Sequence, residues 1–149
     1  CTPLVDPSRK KMDANKEGPI HPLFGYTYVC DKYEGLIVTN TVSTMDGNPV
    51  NNFLRREATF NPDGVLCGAR HAHVHGTLLY VSCDAGLVVV DINTPCQPRV
   101  VTVVGEPFLK HARMCSTQLR YCYVCDEEGV KVLDISDPTN PRPVSMIRM

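Results

Sequence analysis

The stretch GVKVLDISDPTNPRPV at residues 129–144 restates GLVVVDINTPCQPRVV at residues 86–101, and this internal repeat constrains the fold more than any other feature. Anchored on a Tyr-Val pair, three copies line up: YVCDKYEGLIVTN from Tyr28, YVSCDAGLVVVDI from Tyr80 and YVCDEEGVKVLDI from Tyr123. Copies two and three are 43 residues apart, and that offset holds without a gap from Gly86/Gly129 through Asp91/Asp134, Pro95/Pro138 and Arg99/Arg142. A period near 43 marks a chain built from stacked supersecondary units.

The contents of one unit say which. TLLYVSC is a short apolar run of strand formers, DAG or DEEG is a tight turn, and LVVVDI or VKVLDI is the returning strand. The proline-containing segment that follows reads as a loop, since proline donates no ladder bond, and RVVTVVG supplies a further strand. No stretch between these keeps helical periodicity for two turns. Each unit is an antiparallel meander with near-continuous apolar strands, so both of its faces need cover. The expected fold class is all-β: a partial β-propeller of about three four-stranded antiparallel blades. The expected blades span about residues 20–66, 67–109 and 110–149, after an N-terminal arm or linker at 1–19.

The first copy departs from the rhythm, standing 52 residues before the second. The extra length falls in residues 41–69, read as a lengthened loop around the strand FLRREATF. Propeller loops carry specificity, which makes this the stretch of surface to watch. A closed propeller needs about four to eight blades. Three blades therefore imply a piece of a larger propeller, or a ring completed by assembly.

At 149 residues, the chain has the length of one ordinary domain. A formal charge of −1 gives no general pull toward nucleic acid or anionic membrane. No apolar run approaches the ~20 residues that span a bilayer, and no signal-peptide pattern is legible. The chain begins at Cys1, as a mature bacterial lipoprotein does and as a fragment boundary also could. The eight cysteines fall largely in strands at matching repeat places, which suits small apolar core residues. Cys83, Cys122 and Cys125 are expected to be buried and unbonded.

These motifs, YVSCDAGLVVVDINTPCQP and YVCDEEGVKVLDISDPTNP, resemble the bacterial and archaeal LVIVD-repeat β-propellers. The resemblance runs from about Ile20 onward, with the first copy degenerate at Thr39 and Asn40. It implies a non-enzymatic protein-interaction or scaffold module of a larger extracytoplasmic or cell-surface protein. It also implies, as an alternative, a partner of a multihaem cytochrome in electron transfer. It carries no catalytic residues.

CGARHAHVHG (67–76) is the densest chemical feature. On a strand, His71, His73 and His75 project to one face about 6–7 Å apart. Neutral imidazoles there suit a transition metal in a redox role, and Cys67 offers a thiolate. His21 matches His73 at the offset of 52, so His71, His73, His75 and His21 form the candidate metal set. A straight strand cannot bring three rings to one ion, so a ligand from another repeat, His21 or His111, is required. The competing reading packs these histidines between blades. Covalent haem needs a second cysteine where Arg70 stands, and Arg113 repeats that arginine. CYVC (122–125) has redox spacing, but on a strand residues three apart point to opposite faces. Asp31, Asp84 and Asp126 read as caps of the hairpin turns.

Overall fold

A computed structural model describes residues 25–41, 50 and 54–148. Eleven strands carry the chain among these residues: β1 (Tyr26–Asp31), β2 (Gly35–Asn40), β3 (Arg55–Phe60), β4 (His71–His75), β5 (Leu78–Cys83), β6 (Gly86–Asp91), β7 (Arg99–Val104), β8 (Met114–Gln118), β9 (Tyr121–Cys125), β10 (Gly129–Asp134) and β11 (Arg142–Arg148). They form three separate antiparallel meanders, β1–β3, β4–β7 and β8–β11, so the repeats at Gly86 and Gly129 lie in different sheets. The partial propeller read from the repeat is the fold.

The repeat is visible in the details. A register shift interrupts the outer pairing at Val38/Thr39, Val89/Val90 and Val132/Leu133, three equivalent places. Such bulges sharpen the local twist of a strand. The hairpin glycine at Gly86 sits at φ +114, and a Cβ there would run into the carbonyl of Val104 on the neighbouring strand. Gly129 repeats both features against the carbonyl of Ile147. In the second and third units an aspartate folds the chain back after the third strand: Asp91 accepts the Asn93 N–H at 2.8 Å and Asp134 accepts that of Ser136 at 2.9 Å.

The first sheet has three strands among the described residues; the stretch equivalent to β4 and β8 precedes residue 25 and lies outside them. The strand expected within FLRREATF is β3, the outer strand of the first sheet, and a compact connection follows it in which Leu66 is fully buried and its N–H donates to Asn61 Oδ1 at 2.8 Å.

Packing follows the repeat. Each blade has a leading face toward its predecessor and a trailing face toward its successor. On the second blade, the leading face is Leu79, Val81, Cys83, Val88, Val90 and Ile92, packed with Leu66 and Ala69 against Leu36 of the first blade. Its trailing face is Tyr80, Leu87 and Val89, packed against Cys122, Val124, Leu133 and Ile135 of the third. Shifted by 43, Leu79, Val81, Val90 and Ile92 become those same four third-blade residues. Each fully buried Leu or Val here is worth about 1.5–3 kcal/mol of transfer free energy, so two apolar seams hold the stack.

Candidate functional site

The histidine strand is the inner strand of the second blade. His71 and His75 reach out of their own sheet to β8, the inner strand of the third. The backbone N–H of Cys115 donates to His71 Nδ1 at 3.4 Å, and Cys115 Sγ stands 3.7 Å from the same nitrogen. His75 Nδ1 lies 2.9 Å from Thr117 Oγ1, with its ring edge-on to Tyr80. His73 lies between them. Burial, then the neighbouring His71 and His75, holds its pKa below the ordinary value. Two of the three histidines thus bridge strands of adjacent blades that share no ladder. Among the described residues, no three His, Cys, Asp or Glu side chains converge as a metal-binding group. His21 lies outside the described residues, and His111 sits elsewhere.

His111 stands at the end of the sheets, in an open cleft of about 490 Å³ between the second and third blades, lined by Arg70, Asp84, His111, Arg113 and Glu127. Arg70 and Arg113 occupy one repeat position, as do Asp84 and Glu127. Arg70 donates to the Gly68 carbonyl at 2.8 Å and to Asp84 Oδ1 at 2.5 Å. His111 Nδ1 reaches the same carboxylate oxygen from the next blade at 3.5 Å. These contacts, the arginine foremost, hold the Asp84 carboxyl below the usual range. Asp84 therefore ties two blades together and does not act as the turn cap expected of it. Asp31 does cap its turn, accepting the N–H groups of Tyr33 and Glu34 at 2.8 and 2.7 Å.

Behind the cleft is a buried ion network. Lys131 is 1% exposed and meets Asp126 at 2.7 Å, Glu128 at 2.8 Å and the Phe108 carbonyl at 2.5 Å. Three acceptors satisfy the three ammonium protons. Asp126 also accepts N–H bonds from Lys110 at 3.3 Å, Glu128 at 2.9 Å and Gly129 at 3.2 Å. Burial pushes the Asp126 carboxyl up, but the ion pair and these N–H donors outweigh it and hold the pKa low. Lys131 answers in kind: burial works against its charge, and the two carboxylates still raise its pKa. In the second blade, Cys83 and Val88 stand where Asp126 and Lys131 stand here. The signal was present in the sequence as a coordinated change, CDAGLV to DEEGVK, with an acid and a base on the same leading face.

The cysteines are mostly core residues. Cys83, Cys115 and Cys122 are buried and free. Burial first, then Cys115, drives the Cys122 thiol up to about 12, and burial likewise drives Cys115 up to about 11. Cys125 is free but only half-buried, contrary to expectation, because it lies on the opposite face of β9 from Cys122. Cys67 is exposed, while Cys96 is disulfide-bonded. No described helix is long and apolar enough to cross a membrane.

The LVIVD repeat family matches residues 68–104 and 118–146. These are the second and third copies; the degenerate first copy lies outside both stretches. No curated protein matches the chain. Among solved structures, the chain is similar to the N-terminal domain of Nup159, at 12% identity and a TM-score of 0.49. That similarity covers 85% of this chain and 32% of the Nup159 domain, so the chain spans about a third of its length.

Proposed function

From a chain that carries the LVIVD repeat in two successive blades, we propose a non-enzymatic scaffold and interaction segment of a larger β-propeller, whose open blade faces receive further blades of the same repeat. One observation carries this reading. Tyr80 on the trailing face of the second blade is 0% exposed, whereas Tyr123, its equivalent on the third, is 37% exposed. At the other end, Val81 is 0% exposed on the second blade's leading face, and its equivalent Val29 is 43% exposed on the first.

The stack thus ends in one open trailing face and one open leading face. Those are the two kinds of surface that meet in each internal seam, so what covers either is a surface of the other kind. Around Tyr123 the open face includes Cys125 and Val130, both half-buried. An apolar sheet face of this sort marks an interaction surface. In this reading, His71 and His75 serve as struts between blades. The disulfide at Cys96 favours an oxidising, extracytoplasmic compartment.

Sedimentation velocity tests the reading. The chain is expected to associate head to tail across the micromolar range, trailing face on leading face, and Tyr123→Lys is expected to return it to monomer. A monomer at every concentration, with no difference between the two proteins, would contradict it.

A further inference from the structure

The cleft between the second and third blades contains one closed ion pair and one open one. Arg70 and Asp84 are hydrogen-bonded at 2.5 Å, and His111 completes the carboxylate's surroundings. Their repeat equivalents, Arg113 and Glu127, stand 4.0 Å apart, beyond hydrogen-bond reach, and both are more than half exposed. Arg113 and Glu127 thus face each other only as a loose, exposed ion pair, without a hydrogen bond between them.

The wall that holds them is stiffened. Lys131 grips the Phe108 carbonyl and Asp126 grips the Lys110 N–H, so the buried ion network fixes the segment leading to His111 and Arg113. His111 itself has φ +50, a left-handed conformation kept from its repeat equivalent Gly68 at φ +71. A side chain held there is uncommon and costs backbone energy. It brings the imidazole to the cleft, where glycine would bring nothing.

The charges select the ligand class. Two arginines and two carboxylates line the cleft, so it is formally balanced with His111 neutral. A simple anion would meet Asp84 and Glu127, and a simple cation would meet both arginines. A zwitterion adds no net charge and gives Arg113 and Glu127 each a closer partner than they give one another. We propose that this cleft binds a small zwitterion bearing a carboxylate beside an ammonium, such as a free amino acid, with the carboxylate on the Arg113 fork and the ammonium on Glu127. Fork-to-carboxylate pairing is the stronger of the two contacts. A cleft of about 490 Å³ is of the size that small ligands occupy.

Isothermal titration of the full chain with glycine and alanine tests this, with acetate and methylammonium as separate arms at matched ionic strength. Saturable binding is expected for the amino acids alone. Arg113→Ala and Glu127→Ala should each weaken it about tenfold or more, and Arg113→Lys should fall between, since it keeps charge but loses the fork. Circular dichroism checks that these exposed substitutions leave the fold intact. No saturable binding of either amino acid, equal binding of acetate, or affinity unchanged in both alanine variants would overturn the proposal.

Discussion

Tyr80 and Tyr123 stand at the same position of consecutive blades, and only Tyr80 is sealed from solvent. Both are the tyrosine of a Tyr-Val pair in equivalent strands, so the difference comes from the neighbour and not from the residue. β5 is buried on both faces, while β9 alternates between buried and open positions. Tyr80→Ala is expected to cost about 3–5 kcal/mol by opening a cavity in the seam. Tyr123→Ala in the monomer should cost about 1 kcal/mol or less. Urea denaturation of both variants measures the contrast.

The buried hydroxyl of Tyr80 has no hydrogen-bond partner among the described residues. Leaving such a group unsatisfied costs about 1–3 kcal/mol. Tyr80→Phe is therefore expected to raise stability by about 1 kcal/mol, read as a higher urea midpoint at unchanged slope. A drop would mean that the hydroxyl does find a partner in solution.

Lys131 and Asp126 replace an apolar pair of the previous blade, and this makes their energetics testable by substitution. Lys131→Val leaves the buried Asp126 carboxylate without its cation and should cost about 3–5 kcal/mol, whereas Asp126→Cys leaves Lys131 with Glu128 and should cost less. The double variant D126C/K131V restores the second blade's pair. It is expected to recover most of that loss, a strong departure from additivity.

The pH dependence follows from the directions of the shifts. Asp126 has a depressed pKa, so its contribution is present above the ordinary carboxylate value near 3.9 and fades as pH falls through the folded value. Lys131 has a raised pKa, so its contribution is present below about 10.4 and fades as pH climbs through the folded value. His73 has a pKa depressed by burial and by the neighbouring His71 and His75, so its share is present above about 6.5 and lost as pH falls through the folded value. The buried thiols of Cys115 and Cys122, raised to about 11 and about 12, add a loss of stability as pH climbs above the ordinary thiol value near 8.5. Stability should thus plateau between about pH 7 and 8.5, with a shallow acid step before the carboxylate step. In D126C/K131V the steps owed to Asp126 and Lys131 should flatten while the histidine step remains, as thermal denaturation across pH would show.

Much of this fold was legible because a repeat offset transfers information between blades. Gly86 predicts Gly129, and the leading face of the second blade predicts four core residues of the third. The histidine strand was legible as a strand, and its rings do project toward a neighbouring blade. The sequence could not show where that neighbour's partners lie: Cys115 and Thr117 are remote in sequence, and only stacking brings them to His71 and His75. The charged cleft was missed for a related reason. Asp84 looked like the counterpart of Asp126, one residue out of phase, so its true equivalence to Glu127 and its contact with His111 went unseen. Exposure at the two ends of the stack is also invisible to a repeat pattern, which assigns every blade the same two faces.

Cys125 gives the most direct test of the central claim that the open trailing face receives a further blade. It is half-buried on that face, beside Tyr123, in a chain that also holds exposed Cys67 and fully buried Cys122 as internal standards. Timed alkylation of the native protein, mapped by peptide mass, ranks the three thiols. With a further blade in place, Cys125 is expected to label as slowly as Cys122, and Tyr123→Lys should bring its rate up toward that of Cys67. Labelling of Cys125 at a rate close to that of Cys67 in the unaltered protein, at every protein concentration, would contradict the account.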